Sequence, residues 1–178
     1  MKVFAALSYA YNKILDALYF AVGIALVFVM LTVTVGIITR YFFSVSLGWS
    51  AEISGYVLIP LALLAAPKML RDGGHIKVDL ISNAVSPKIN SFLVIIGSVL
   101  GAAVFSLLTL AGSKITIDML ETGYRTDTFL RVPRFILIGI SVLGLLLMTV
   151  QFLRNIIKTG GVLTEKQKPP SEEYVENR

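Results

Sequence analysis

ALYFAVGIALVFVMLTVTVGIIT, residues Ala17 to Thr39, runs for 23 residues without a formal charge. At ~1.5 Å of rise per residue, an α-helix of that length crosses a bilayer core of roughly 30 Å. Hydrocarbon offers no water to pair a bare N–H or C=O, and a helix pairs them all within its own segment. A membrane β-strand would alternate apolar and polar positions, which this run does not do. Ile89 to Ser113 offers 25 uncharged residues and Phe135 to Leu153 offers 19. A second span is weaker, with 15 uncharged residues between Glu52 and Lys68. Extended from Trp49 to Leu70 it reaches 22 residues and sets Trp49, Glu52 and Lys68 at interfacial depth. The reading is an all-α membrane protein with four transmembrane helices, over about 17–39, 49–70, 89–113 and 134–154. These form one domain over 1–160, followed by a flexible cytoplasmic tail over 161–178.

Composition agrees. Among 178 residues, 56% are hydrophobic and 15% charged, where soluble domains sit near ~45–50% and ~25%. With no cysteine and one histidine, disulfides, thiolate chemistry, iron–sulfur clusters and a bis-histidine haem within the chain are excluded. The net charge of +5 reports topology in a membrane chain rather than a nucleic-acid partner. The first apolar run is too long for a signal-peptide core, and Thr39-Arg40-Tyr41 rather than a cleavage motif follows it, so it should be retained. Eleven of the 16 Lys and Arg residues fall on the N-terminus, the 68–88 region after the second span and the tail. The positive-inside rule then places both termini in the cytoplasm of a multi-pass protein.

The connections carry their own signals. Phe4, Leu7, Tyr11 and Ile14 or Leu15 recur at helical spacing, as in a short amphipathic helix on the membrane surface. Gly73-Gly74 should break the second helix, with a further short interfacial helix carrying Ile76, Leu80 and Ala84. Ser86-Pro87 suits the start of the third span.

No Asp, Glu, Lys, Arg or His lies centrally in any span, although transport paths and proton relays usually expose one. Pro60, which leaves the Tyr56 carbonyl without its helical donor, reads as a packing kink. Glu52 is the foremost functional candidate. It is either a charge favoured at its helix N-terminus or half of an ion pair, with Arg40 or with another subunit. Trp49 fits an interfacial anchor or a packing knob, and Arg40 a flanking charge that reaches the head groups. His75 reads as a structural surface histidine, with Asp79 one helical turn away to pair with it. Gly97 and Gly101 form a GxxxG motif for close helix packing, extended by Ser98, Ala102 and Ser106. Ala62 and Ala66, and Ala21 and Ala25, repeat the small-residue spacing. There are no catalytic residues, cofactor motifs or metal-ligand clusters in the pattern, so an enzyme is not expected.

Arg40-Tyr41-Phe42-Phe43, Leu47-Gly48-Trp49-Ser50-Ala51-Glu52 and Leu70-Arg71-Asp72-Gly73-Gly74-His75-Ile76-Lys77-Val78-Asp79 together resemble the small membrane subunit of tripartite ATP-independent periplasmic (TRAP) transporters, the DctQ-like family. Leu130-Arg131-Val132-Pro133, ahead of the last span, fits the same pattern. Family members often carry two adjacent acidic residues where this chain has Ala51-Glu52. The resemblance implies a non-catalytic subunit of the bacterial inner membrane that braces a large elevator-type partner. That partner would hold the Na⁺ and import an organic anion, a carboxylate or sulfonate, delivered by a periplasmic binding protein. On this view Arg40, Trp49 and Glu52 outside, and His75 and Asp79 inside, anchor the chain to its partner or to phospholipid. Two other readings stand beside it: a homodimeric proton-coupled exporter using Glu52, and a membrane anchor for a respiratory enzyme.

Overall fold

The computed structural model describes residues 2–72 and 87–165, with side chains over 8–72, at 89 and over 92–160. Four helices account for nearly all of it: α1 (Lys2–Phe43), α2 (Gly48–Arg71), α3 (Pro87–Thr122) and α4 (Arg134–Glu165). Each contains a window long and apolar enough to cross a membrane, and no strand occurs among the described residues. His75, Asp79, the Gly73-Gly74 break and the interfacial helix expected after it lie outside the described residues.

Only α2 matches a bilayer in length. At 42 residues α1 spans ~63 Å, and no break separates residues 2–16, expected as a separate surface helix, from the span. Residues 2–22 contain neither Gly nor Pro, so charges at Lys13 and Asp16 end the apolar run without ending the helix. For the same reason α3 runs past Ser113, through Lys114, Asp118 and Glu121, to Thr122. Likewise α4 continues past residue 154, and through Gly161, to Glu165.

The helices stand in an open row. α1 packs on α2, α2 on α4, and α4 on α3, while α1–α3 and α2–α3 packing is slight or absent among the described residues. Consequently only 11–22% of each apolar window is buried within the chain. Along α1 a seam of Leu15, Val22 and Val29, seven residues apart, is buried, with Thr32 beside it. Hydroxyls within the helices bond back to the preceding turn, as Thr32 Oγ1 to the Phe28 carbonyl (2.8 Å) and Ser106 Oγ to the Ala102 carbonyl (2.6 Å). These hydroxyls thereby stay satisfied without water.

Close approach sets the crossings. A Cβ on Gly144 of α4 would stand 2.7 Å from both the carbonyl carbon and oxygen of Leu63 on α2. Pro67 lies inside α2 and is fully buried. Lacking an N–H, it leaves the Leu63 carbonyl without its ordinary helical donor. The bare Gly144 thus meets the one stretch of α2 backbone that Pro67 has freed, a site suited to a Cα–H···O contact. Pro67, not only Pro60, interrupts the hydrogen-bond ladder of this helix; Pro60 is buried as well. On α3, Gly101 abuts the Phe152 ring, whereas nothing lies within 4 Å of a Cβ built on Gly97. The GxxxG motif therefore does not act as one contact face inside the chain. Ser98 and Ala102 are buried, while Ala21 and Ala62 are exposed.

Gly144→Val should lower the stability of the folded chain by about 1–3 kcal/mol through overpacking, read as a lower unfolding midpoint in detergent. Gly97→Ala, pointing into open space, should stay within about 0.5 kcal/mol of the parent.

Candidate functional site

Two polar clusters close the row, one at each end. The first is built on α1 by Ser8, Asn12 and Asp16, spaced four apart on one face. Asp16 Oδ1 accepts from Lys68 Nζ at 2.5 Å and from Arg71 Nη2 at 2.6 Å, both in the last turn of α2. Arg71 also donates through Nε to Asp72 at 2.9 Å and through Nη1 to the Asn12 carbonyl at 3.2 Å. Two bases at the C-terminal turn of α2 suit its helix dipole. The neighbouring Arg71 guanidinium holds the Asp72 carboxyl below the usual carboxylate range. Lys68 further lies 5.3 Å from the centre of the Tyr19 ring.

α4 joins the same cluster. Arg154 donates to Asn12 Oδ1 at 2.9 Å and to Ser8 Oγ at 2.5 Å, and lies 4.6 Å from the centre of the Tyr11 ring. Tyr11 in turn donates to the Leu147 carbonyl at 2.8 Å. This end is a clasp, in which one polar stripe of α1 grips both α2 and α4.

At the other end, Glu52 sits in the second turn of α2. Its two carboxylate oxygens accept the backbone N–H groups of Phe129 (2.8 Å) and Leu130 (3.1 Å). One turn further along α2, the Tyr56 hydroxyl is 2.6 Å from Thr128 Oγ1. The segment they hold is a tight turn, closed by the Arg131 N–H on the Thr128 carbonyl (3.2 Å) with Arg131 at φ 45°. Around it, both the N–H and the hydroxyl of Thr126 point to the Val132 carbonyl, at 3.1 and 3.3 Å. Successive amides facing one carboxylate form an anion-binding concavity, here filled by a side chain of the protein itself. Gly123, at φ 62°, ends α3 in the left-handed conformation that releases the chain into this loop.

Glu52 therefore neither pairs with Arg40 nor caps its own helix, whose N-terminus carries no side-chain cap. It acts as a latch between α2 and the α3–α4 loop. Arg40 is exposed beside the exposed Tyr41, Phe42 and Phe43, with no ion pair among the described residues. Trp49 is half-buried at the second residue of α2. Asp16, Arg154 and the Tyr56 hydroxyl have no role in the sequence reading, and Arg71 enters it only within the motif that carries the family resemblance. Their only advance signal is the four-residue spacing of Ser8, Asn12 and Asp16.

Replacing Glu52 by Ala should speed amide hydrogen exchange at Phe129 and Leu130 and leave mid-α4 amides unchanged; Glu52→Gln should fall between. At the opposite end, Asp16→Asn should loosen α1 from α2. Because the chain has no cysteine, spin labels on Tyr9→Cys and Met69→Cys, both exposed positions, read this as a broadened distance distribution.

Comparison with curated proteins finds no match. The family model for the DctQ component of tripartite ATP-independent periplasmic transporters matches residues 29–159. That stretch takes in the latch residue Glu52, the α3–α4 loop it holds, the C-terminal part of α1, all of α2 and α3 and most of α4, so the chain belongs to the DctQ family.

Proposed function

We propose that the chain is the small membrane subunit that braces a large elevator-type TRAP subunit during Na⁺-driven import of an organic anion. The observation that carries this reading is the open row itself. Four spans tied at both ends leave most of their apolar surface uncovered, while their ionisable groups gather at the ends. Lipid tails are as apolar as leucine, so such faces gain specificity only by close packing against other helices. A large membrane partner supplies those helices.

A brace must keep its shape while its neighbour slides. The clasp and the latch serve that need, because each ties α2 to another element through charged or backbone-directed bonds rather than through apolar contact alone. On this reading the clasp end faces the cytoplasm, and the latch end faces the periplasm, where the binding protein delivers the anion. Arg40, Trp49 and the exposed aromatic residues after Arg40 anchor that end; His75 and Asp79 would serve the cytoplasmic one. A proton-exchanging exporter built on Glu52 is not favoured, since both oxygens of that carboxylate are engaged by loop amides.

Proteoliposomes holding the large subunit, the binding protein and an inward Na⁺ gradient should take up one of a panel of labelled carboxylates and sulfonates only when this chain is present. Uptake without it, or proton-coupled efflux by this chain alone, would contradict the proposal.

A further inference from the structure

The clasp end contains a recess of about 290 Å³, lined by Ser8, Asn12, Arg71, Gln151, Arg154 and Lys158 among others. Charge bookkeeping shows what it lacks. Lys68 and Arg71 are matched by Asp16 and Asp72. Arg154 and Lys158 have no carboxylate partner among the described residues, and the bonds of Arg154 go to neutral groups and an aromatic face. Two cations thus face one recess without counter-charge among the described residues, at the level where α4 leaves its apolar span.

A second observation concerns a buried acceptor. Gln151 is 3% exposed, its Nε2 donates to Asn155 Oδ1 at 3.2 Å, and its Oε1 has no hydrogen-bond partner among the described residues. A buried amide oxygen left unpaired is costly. The recess therefore presents an anion-binding half, Arg154 and Lys158, beside the buried Gln151 amide, whose oxygen calls for a hydroxyl or ammonium donor. It has room for roughly ten waters' share of liquid volume, and the exposed apolar side chain of Ile157 forms part of its rim.

We propose that this recess binds a phosphate ester carrying a neighbouring hydroxyl, the chemistry of a phosphatidylglycerol head group. Arg154 and Lys158 take the phosphate oxygens, the Gln151 amide turns toward the recess so that the head-group hydroxyl donates to its Oε1, and an acyl chain runs along Ile157. Arginine presents a planar donor fork to phosphate, and basic recesses between membrane helices at the cytoplasmic side are a recurrent setting for anionic head groups. This inference rests on the chain spanning a membrane and not on its role in transport.

Native mass spectrometry of the full-length chain, released from an uncharged detergent, tests it. Titration with dioleoyl-phosphatidylglycerol should show one saturable adduct, preferred over dioleoyl-phosphatidylcholine. Lys158→Ala, at an exposed side chain without a partner among the described residues, should weaken that adduct roughly tenfold. Gln151→Leu should retain binding and lose the preference for phosphatidylglycerol over phosphatidic acid, which lacks the hydroxyl. Displacement by sn-glycerol 3-phosphate would support the site with a soluble ester as occupant; resistance to it, with the lipid preference intact, would support the bilayer as the source. Equal binding of phosphatidylglycerol and phosphatidylcholine, or full affinity in Lys158→Ala, would overturn the proposal.

Discussion

Helices immersed in hydrocarbon have no hydrophobic reason to touch one another, because the surrounding tails are as apolar as they are. Everything that orders this chain must therefore come from polar bonds at the ends of the spans and from backbone approach in between. The structure uses both. Asp16 ties α1 to α2, Arg154 ties α4 to α1, and Glu52 ties α2 to the loop that joins α3 to α4. Between them, Gly144 lies against the Leu63 backbone, and Gly101 against Phe152.

Along the spans the helices pack in a line, α1 on α2, α2 on α4 and α4 on α3, which accounts for the open row; side chains of α1 also reach α4 at the clasp. α2 is its organising member. It holds α1 through Lys68 and Arg71, α4 through the Leu63–Gly144 crossing, and the loop through Glu52 and Tyr56. Its two internal prolines are buried, so the places where its hydrogen-bond ladder is interrupted lie against protein, where irregular backbone at membrane depth is tolerated. A row held in this way keeps a fixed outline while leaving broad apolar faces for lipid or for another subunit, which is what the proposed brace requires.

The four spans were legible in the sequence because charge-free runs of membrane length have few other solutions. Their ends were less so. Charges at Lys13, Asp16, Lys114 and Asp118 mark where an apolar run stops, but they are good enough helix residues that α1 and α3 continue through them. Glu52 stood out as a carboxylate at the edge of a span. Its partners did not, since backbone amides some 77 residues away carry no residue identity to search for. Asp16 escaped notice for a related reason: directly before an apolar run it resembles an ordinary flanking charge, and Lys68 and Arg71 lie 52 and 55 residues further on. Gly101 carried a motif and does pack closely, whereas Gly144, the tightest approach to another helix's backbone, carried none.

The most direct examination of the proposed brace is a cryo-electron microscopy structure of this chain assembled with its large membrane partner in lipid nanodiscs. The α1–α2–α4–α3 order should persist, with one uncovered face of the row seated on the partner and no solute within the row. A solute or cation held solely by these four helices would contradict the account, as would a chain found with no second protein beside it.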